Sequence, residues 1–366
     1  MANPAPSISD PSDSVPDVPR ISGQHLVSVE GTASTLASDS AVGAAEALQS
    51  LVRKLPRFDD RLVDLGLIAQ GGMGVIHRVW DEILNRELAL KILQGSEHSF
   101  EAAQRFVVEA RVTALLDHPS IVPVYDLGTY KGSTCFLMKL VEGITLQSEI
   151  AGGPRWGVST ACDVWLLEAF MKVCDAVSFA HSRSIIHRDL KPENIMLGSF
   201  SQVYVMDWGV ALTRQDGNDG LPEGVPAPRR RLASAPPAFA GTLSYMAPEQ
   251  ALAALDQIDE RTDVFLLGGV LYEMFTGCTP HPPTQNIYAS VYAAVSCDVP
   301  PCQQLRPDLA PELGEIVTRA LSREPDARYA SPLELKAALR EALGGLNLPG
   351  RGRAVTGPLR AAGEAS

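Results

Sequence analysis

His187-Arg188-Asp189-Leu190-Lys191-Pro192-Glu193-Asn194 is followed by the apolar run Ile195-Met196-Leu197 and, beyond a polar turn, by Val203-Tyr204-Val205-Met206-Asp207-Trp208-Gly209. Gly198, Ser199 and Ser201 are turn formers, so the two β-prone runs predict a hairpin. Antiparallel strands bring their far ends together, which sets Asn194 beside Asp207. An amide oxygen and a carboxylate at one point suit a hard, oxygen-seeking cation such as Mg²⁺. Asp189 lies just upstream in a loop with Lys191, where a carboxylate can accept a hydroxyl proton.

Working toward the N-terminus, Leu62–Ile68 and Val75–Trp80 read as strands around Ala69-Gln70-Gly71-Gly72-Met73-Gly74. Glycines there let backbone N–H groups approach an anion closely, although a plain glycine hairpin has the same look. Leu88-Ala89-Leu90-Lys91 is an apolar strand that ends in a lysine. A buried ammonium is costly unless it meets a ligand or a carboxylate. Phe100 to Leu116 predicts a helix, with Phe106, Ala110, Thr113 and Leu116 at helical spacing. Glu109 on that helix has two candidate partners: Arg105, one turn back on the surface, and Lys91. Ile121–Leu127 and Cys135–Val141 would complete a five-stranded sheet.

Toward the C-terminus, Asp163 to Arg183 reads as a helix with Leu167, Met171, Cys174 and His181 on one face. Gly217, Gly220, Pro222, Gly224, Pro226 and Pro228 mark a long loop after Asp207, and Arg229-Arg230-Arg231 is a basic cluster inside it. Asp263 opens an apolar helix to Phe275 that Gly277 can stop. Glu312–Leu321 and Leu333–Leu343 read as closing helices.

The central octapeptide with Asp207-Trp208-Gly209 at hairpin distance resembles the catalytic loop and metal-binding motif of the protein kinases, with Trp in the place of the commoner Phe. The glycine segment resembles that family's phosphate loop; Ala69 stands where its first Gly is expected and Ile76 where Val is. Gly241-Thr242-Leu243-Ser244-Tyr245-Met246-Ala247-Pro248-Glu249 resembles its substrate loop and Ala-Pro-Glu motif. The resemblance covers about Leu62 to Leu343, and Lys191, two residues after Asp189, is similar to the Ser/Thr branch.

That resemblance implies an α+β, two-lobed protein kinase fold: a β-rich N-lobe over 59–141, a mainly helical C-lobe over 142–343, and ATP between them. It implies catalytic roles for Asp189 and Lys191, and a Lys91–Glu109 pair that positions the nucleotide. Asn194 and Asp207 would hold Mg²⁺, with Mn²⁺ as a substitute ion. Ile68, Ala69, Gln70, Gly71, Gly72, Met73, Gly74, Ile76, Ala89, Met138, Lys139 and Val141 would line the nucleotide, Met138 as gatekeeper and Lys139 to Val141 as the hinge. Asp263 would tie its helix to the catalytic loop, Arg328 would pair with Glu249, and Thr242 would bond to Asp189. His187 reads as structural, packed near Trp208. The expected partners are ATP and Ser/Thr-bearing proteins, this chain among them. A phosphate on Thr213, Ser234, Thr242 or Ser244 that meets Arg188 is the expected regulation, with Thr242 the weakest candidate. A scaffold without activity, or a kinase-like enzyme acting on a small molecule, are the rival readings. The first should lack Lys91, Asp189, Asn194 or Asp207, and the second should lack the Thr242 to Glu249 docking segment.

The 366 residues are 45% hydrophobic and 20% charged, ordinary for a globular chain, and the net charge of −12 argues against nucleic-acid binding. Six scattered cysteines without a Cys-x-x-Cys pair suggest reduced thiols and no zinc site. The longest apolar stretch, Val264–Phe275, is shorter than the roughly 18–20 residues needed to span a bilayer. No secretory signal is evident, and a cytoplasmic location is expected. Residues 1 to about 40 are rich in Ser, Ala, Pro and Asp, and 1–58 as a whole reads as a disordered segment. Within it Ala44, Leu48, Leu51 and Val52 outline a short helix over Ala41–Leu55, either packed on the domain or only nascent. Residues 344–366 read as a disordered, mildly basic tail.

Overall fold

The computed structural model describes residues 50, 53–71, 74–93, 100–151, 161–213, 241–284 and 286–345. The expected helix over 41–55, Gly72 and Met73, the basic cluster with Ser234, and the C-terminal tail lie wholly or mostly outside these residues.

The sheet begins with β1 (Leu62–Gly71), β2 (Gly74–Asp81) and β3 (Arg86–Leu93). Helix α1 (Phe100–Leu115) follows, then β4 (Val124–Tyr130) and β5 (Ser133–Met138). These strands form one five-stranded antiparallel sheet in the order β1-β2-β3-β5-β4. Strand alternation sends Val79, Leu88, Leu90, Cys135 and Leu137 to one apolar layer. Phe136 and Leu93 go to the other layer, where Phe106 and Ala110 of α1 meet them. Glu109 lies on this helix and is 3% exposed.

The first strand, expected over 62–68, runs on to Gly71, and two other strand boundaries move around Pro123. The strand expected over 121–127 begins at Val124, because Pro123 has no N–H to donate to a ladder. Ile121 instead forms an isolated parallel bridge with Val205. The strand expected to reach Val141 ends at Met138, and the Lys139 N–H donates to the Pro123 carbonyl at 3.1 Å. Residues 139–141 are thereby outside the sheet.

An element without a sequence signature closes the β4 edge. Arg57 bridges Thr129 in parallel, and the Phe58 N–H donates to the Thr129 carbonyl at 2.9 Å. The Phe58 ring is 1% exposed and packs where Gly128 has no side chain; a Cβ there would sit 2.5 Å from the ring. Pairing an exposed edge and burying an aromatic ring explains why these residues order before β1.

The second half of the chain is mainly helical. It contains β6 (Gly143–Thr145), α2 (Leu146–Ala151), α3 (Ala161–Ser182), β7 (Ile185–Ile186), β8 (Ile195–Gly198), β9 (Val203–Val205) and β10 (Leu212–Thr213). Then come α4 (Pro248–Ala251), α5 (Glu260–Thr276), α6 (Ile287–Ser296), α7 (Cys302–Leu305), α8 (Pro311–Ala320) and α9 (Pro332–Gly345). Helix α5 is its axis: every residue from Thr262 to Phe275 is buried. It starts earlier than expected, because Asp259 caps it by accepting the Arg261 N–H at 2.8 Å. Asp263 is thus inside the first turn, facing inward. Gly277 ends the helix at φ 73°, a left-handed conformation that suits glycine. No helix among the described residues is long and apolar enough to cross a membrane.

Candidate active site

The predicted hairpin is β8–β9, with Ile195 opposite Val205 and Leu197 opposite Val203. Its open end holds Asn194 against the start of the Asp207 motif: the Met206 N–H donates to the Asn194 carbonyl at 2.9 Å. The Asn194 side-chain NH₂ donates to the Asp189 carbonyl at 2.8 Å and to Asp189 Oδ2 at 3.2 Å. Because the NH₂ is used there, the amide oxygen faces elsewhere and keeps its acceptor capacity. Asp207 has φ 60°, a conformation rare for a non-glycine residue. Gly209 makes room for it, since a Cβ at Gly209 would lie 3.2 Å from Asp207 Oδ1 and 3.3 Å from Glu109 Oε2.

Asp189 and Lys191 are 3.2 Å apart, carboxylate to ammonium. Thr242 joins them: its hydroxyl donates to Asp189 Oδ1 at 2.9 Å and accepts from Lys191 Nζ at 2.6 Å. A carboxylate held by an amide, an ammonium and a hydroxyl has its orientation set before any ligand arrives.

On the sheet side, Lys91 Nζ lies 2.5 Å from Glu109 Oε1. Of the two partners open to Glu109, the buried lysine is the one it meets. Burial pulls the Lys91 pKa down, but the carboxylates of Glu109 and Asp207 outweigh it and leave it above the ordinary lysine value. Burial and Asp207 push Glu109 upward against the pull of Lys91. Glu109 Oε2 is buried and has no hydrogen-bond partner among the described residues. This corner therefore has acceptor capacity left for a donor or a cation.

Strand register puts five of the expected nucleotide residues on a common face. Ala69 lies opposite Ile76, Ile76 opposite Lys91, and Ala89 opposite Met138. Directly paired residues point the same way, so these side chains share the face that carries Lys91. Gln70 and Gly71 continue β1 and pair with Val75 and Gly74. Gly74 runs so close to β3 that a Cβ would be 2.3 Å from the Ile92 carbonyl. Ile68 is 48% exposed, and Val141 is outside the sheet. The Lys139 side chain bonds to the Tyr204 hydroxyl.

The supporting residues explain the precision. Asp263, fully buried, accepts the backbone N–H groups of His187 and Arg188 at 2.8 and 2.9 Å, and His181 Nε2 bonds to it at 2.7 Å. Burial raises its pKa, but these donors prevail and hold the carboxyl below the ordinary value. His187 packs on Trp208, ring centres 4.4 Å apart, and its Nε2 donates to the Met206 carbonyl. Arg328 grips Glu249 with two bonds, at 2.7 and 2.9 Å. Arg188 is 9% exposed, and its Nε donates to the Val210 carbonyl at 2.6 Å. Burial lowers the Arg188 pKa, with Asp263 opposing.

The octapeptide, the Asp-x-Gly turn and the Lys–Glu pair thus come together around Asp207, and the model of the protein kinase domain matches residues 62–339. The chain belongs to the protein kinase family. It is 33% identical over 291 residues to the serine/threonine-protein kinase PknD of Chlamydia caviae, a match covering 76% of this chain and 31% of that protein. It is 34% identical over 284 residues to PknB of Mycolicibacterium smegmatis, covering 75% of this chain and 41% of that protein. The match therefore covers less than half the length of either relative. The crystal structure of the PknI kinase domain of Mycobacterium tuberculosis superposes with a TM-score of 0.54 at 25% identity, over 76% of this chain and 95% of that one.

Some residues that brace the segments around this kinase's catalytic loop escaped sequence reasoning. Gln250 donates to the Arg188 carbonyl at 2.8 Å, and Glu273 accepts from Gln147 at 3.0 Å and from the Tyr245 hydroxyl. Each joins segments far apart in the chain. The only local hint was a polar residue inside an otherwise buried run.

Proposed function

We propose that this chain is an active Ser/Thr protein kinase that transfers the γ-phosphate of ATP to protein hydroxyls, with Mg²⁺ as its ion. The observation that carries the reading is the Asp189–Lys191–Thr242 cluster: a carboxylate oriented by three partners, with an ammonium 3.2 Å away. Asp189 would orient the acceptor hydroxyl and take its proton. Lys191 would offset charge on the transferred phosphate. Lys91, kept charged beside Glu109, would position the nucleotide phosphates.

The donor set fits a Mg²⁺ ion. Asn194 and Asp207 offer oxygens at one end of the hairpin, and Mg²⁺ is commonly held by one or two protein oxygens, with phosphates and water completing the shell. When bound, the ion would neutralise phosphate charge. The protein's part is to aim these two oxygens, which it does through the Met206–Asn194 bond and the left-handed Asp207 backbone.

The presence of Lys91, Asp189, Asn194 and Asp207 in one arrangement favours activity over a scaffold role. The 242–249 segment, anchored to Asp189 at one end and to Arg328 at the other, favours a protein acceptor over a small molecule. Regulation by a phosphate on the segment after Val210 is part of the same proposal. Arg188 is mostly buried, its Nε donates to the Val210 carbonyl among the described residues, and a phosphate would offer the guanidinium charge-assisted bonds. Thr213, Ser234 and Ser244 are the candidate acceptors, with Thr242, whose hydroxyl bonds to Asp189 and Lys191, the weakest. A location in the cytoplasm is proposed on the same footing.

Purified protein with labelled ATP, alone and with added protein acceptors, tests the reading. Asp189→Asn should keep nucleotide binding and lose about 10²–10⁴-fold in transfer. Wild-type turnover by this variant would remove Asp189 from its role. Phosphosite mapping of wild type and variant, with activity before and after phosphatase, tests the regulation. Full activity without phosphate between Thr213 and Ser244 would exclude it.

A further inference from the structure

The segment that reaches Asp189 and Lys191 through Thr242 continues as a turn, its Tyr245 N–H donating to the Thr242 carbonyl at 2.9 Å. A second strand of chain, the strap after Gly277, crosses this turn. His281 in the strap bonds to it twice. Its backbone N–H donates to the Ser244 carbonyl at 3.1 Å, and its ring Nε2 donates to the Met246 carbonyl at 3.1 Å. The two carbonyls flank Tyr245, so both sides of that residue are held by one histidine.

The strap is itself anchored. Thr279 donates its hydroxyl to the His281 carbonyl at 2.8 Å, and the His281 ring lies along Phe265 of α5 at 6.2 Å. Helix α5 makes room for both chains at Gly269, where a Cβ would stand 3.2 Å from Pro280 and 3.3 Å from Tyr245. His281 is 2% exposed, an unusual burial for an imidazole. A purely apolar residue would fill the space but leave the Met246 carbonyl without its side-chain donor.

We infer that His281 is a positioning residue for the protein acceptor: by bonding Ser244 and Met246 it sets the ledge beside Asp189 along which the acceptor chain lies. The inference rests on the proposed kinase activity, since the ledge matters only if a hydroxyl is presented to Asp189. It assigns His281 no contact with ATP. Its loss should therefore weaken acceptor binding and leave nucleotide binding alone.

The test compares His281→Phe, which keeps a ring and removes the donor, with His281→Gln, whose amide nitrogen can reach the Met246 carbonyl. His281→Leu runs in parallel as a second donor-free variant. Dephosphorylated casein is the acceptor, and hydrogen exchange over 242–250 is the readout independent of transfer. The donor-free variants should raise the KM for casein about fivefold, the equivalent of one net hydrogen bond, with KM for ATP unchanged. Their 242–246 amides should exchange faster, and His281→Gln should restore both values toward wild type. Unchanged casein KM in the donor-free variants overturns the inference, even if exchange quickens, because His281 would then only hold structure. A Gln variant no better than Phe overturns it too, since packing alone would be at work. If the wild type transfers no phosphate to any acceptor, the kinase reading fails; unchanged exchange in an active enzyme counts against His281 alone.

Discussion

Replacing Glu109 by Gln keeps the shape of the side chain and removes its charge, which tests the Lys91 pair directly. The two groups are 2.5 Å apart, with side chains 13% and 4% exposed. Removing one partner of a buried pair typically costs about 3–5 kcal/mol, because the other charge is left without compensation. Here Asp207 also acts on Lys91, so the lower end applies. About 3 kcal/mol lost from the state that binds and transfers phosphate is roughly a 10²-fold fall in kcat/KM. The assay is steady-state transfer at saturating Mg²⁺, for Glu109→Gln, Lys91→Met and the double variant. Since both side chains serve one pair, the double variant should lose far less than the product of the single losses. Coupling between contacting residues is typically about 0.5–3 kcal/mol. A Glu109→Gln enzyme within about threefold of wild type, or strictly multiplicative losses, would refute the reasoning, and Glu109 would be a helix residue without a role in the cleft.

Three further outcomes follow from the same contacts. Arg328→Met leaves a carboxylate that is 2% exposed without its cation and with the Thr262 hydroxyl as its remaining side-chain donor among the described residues, and should lower unfolding free energy by about 3–5 kcal/mol, read by urea denaturation; a loss under about 1 kcal/mol would mean that Thr262 and rearranged donors suffice. Phe58→Ala opens a cavity beside Gly128 and should cost about 3–5 kcal/mol by the same measurement, although Phe58 precedes the family match at residue 62; an unchanged midpoint would show that the edge strand is dispensable. Asp263 titrates lower in the folded than in the unfolded chain, so its contribution is complete above about pH 5 and is lost as pH falls through the unfolded and then the folded value; the stability gap between wild type and Asp263→Asn should therefore narrow from pH 5 downward, and a gap independent of pH would contradict the assigned hydrogen bonds.

The parts of this kinase legible in the chain are those whose physics is local. The β8–β9 hairpin needs only two apolar runs and a turn, and it carries Asn194 to Asp207 without help from elsewhere. The α1 helix announces itself by the spacing of Phe106 and Ala110, and α5 by its apolar run and closing glycine. Lys91 on an apolar strand had to find a ligand or a carboxylate, because a buried unpaired ammonium is costly. Which carboxylate it would be, Glu109 or none on that helix, depended on how α1 lies against the sheet.

Tertiary structure decided whatever joins distant segments. The start of β4 moved because Pro123 gives its carbonyl to Lys139 and has no N–H for a strand. Phe58 looked like the end of a disordered stretch until the β4 edge supplied backbone partners and Gly128 supplied space. Asp263 looked like a helix opener; Asp259 has that task, and Asp263 is free to collect the His187 and Arg188 N–H groups. His281 carried no sequence signal, since its two bonds go to carbonyls 37 and 35 residues away, and every residue has a carbonyl. Side-chain chemistry is written in the sequence, but backbone acceptors are identical at every position. Only the packing of α5, the strap and the 242–246 turn determines which of them a buried donor meets.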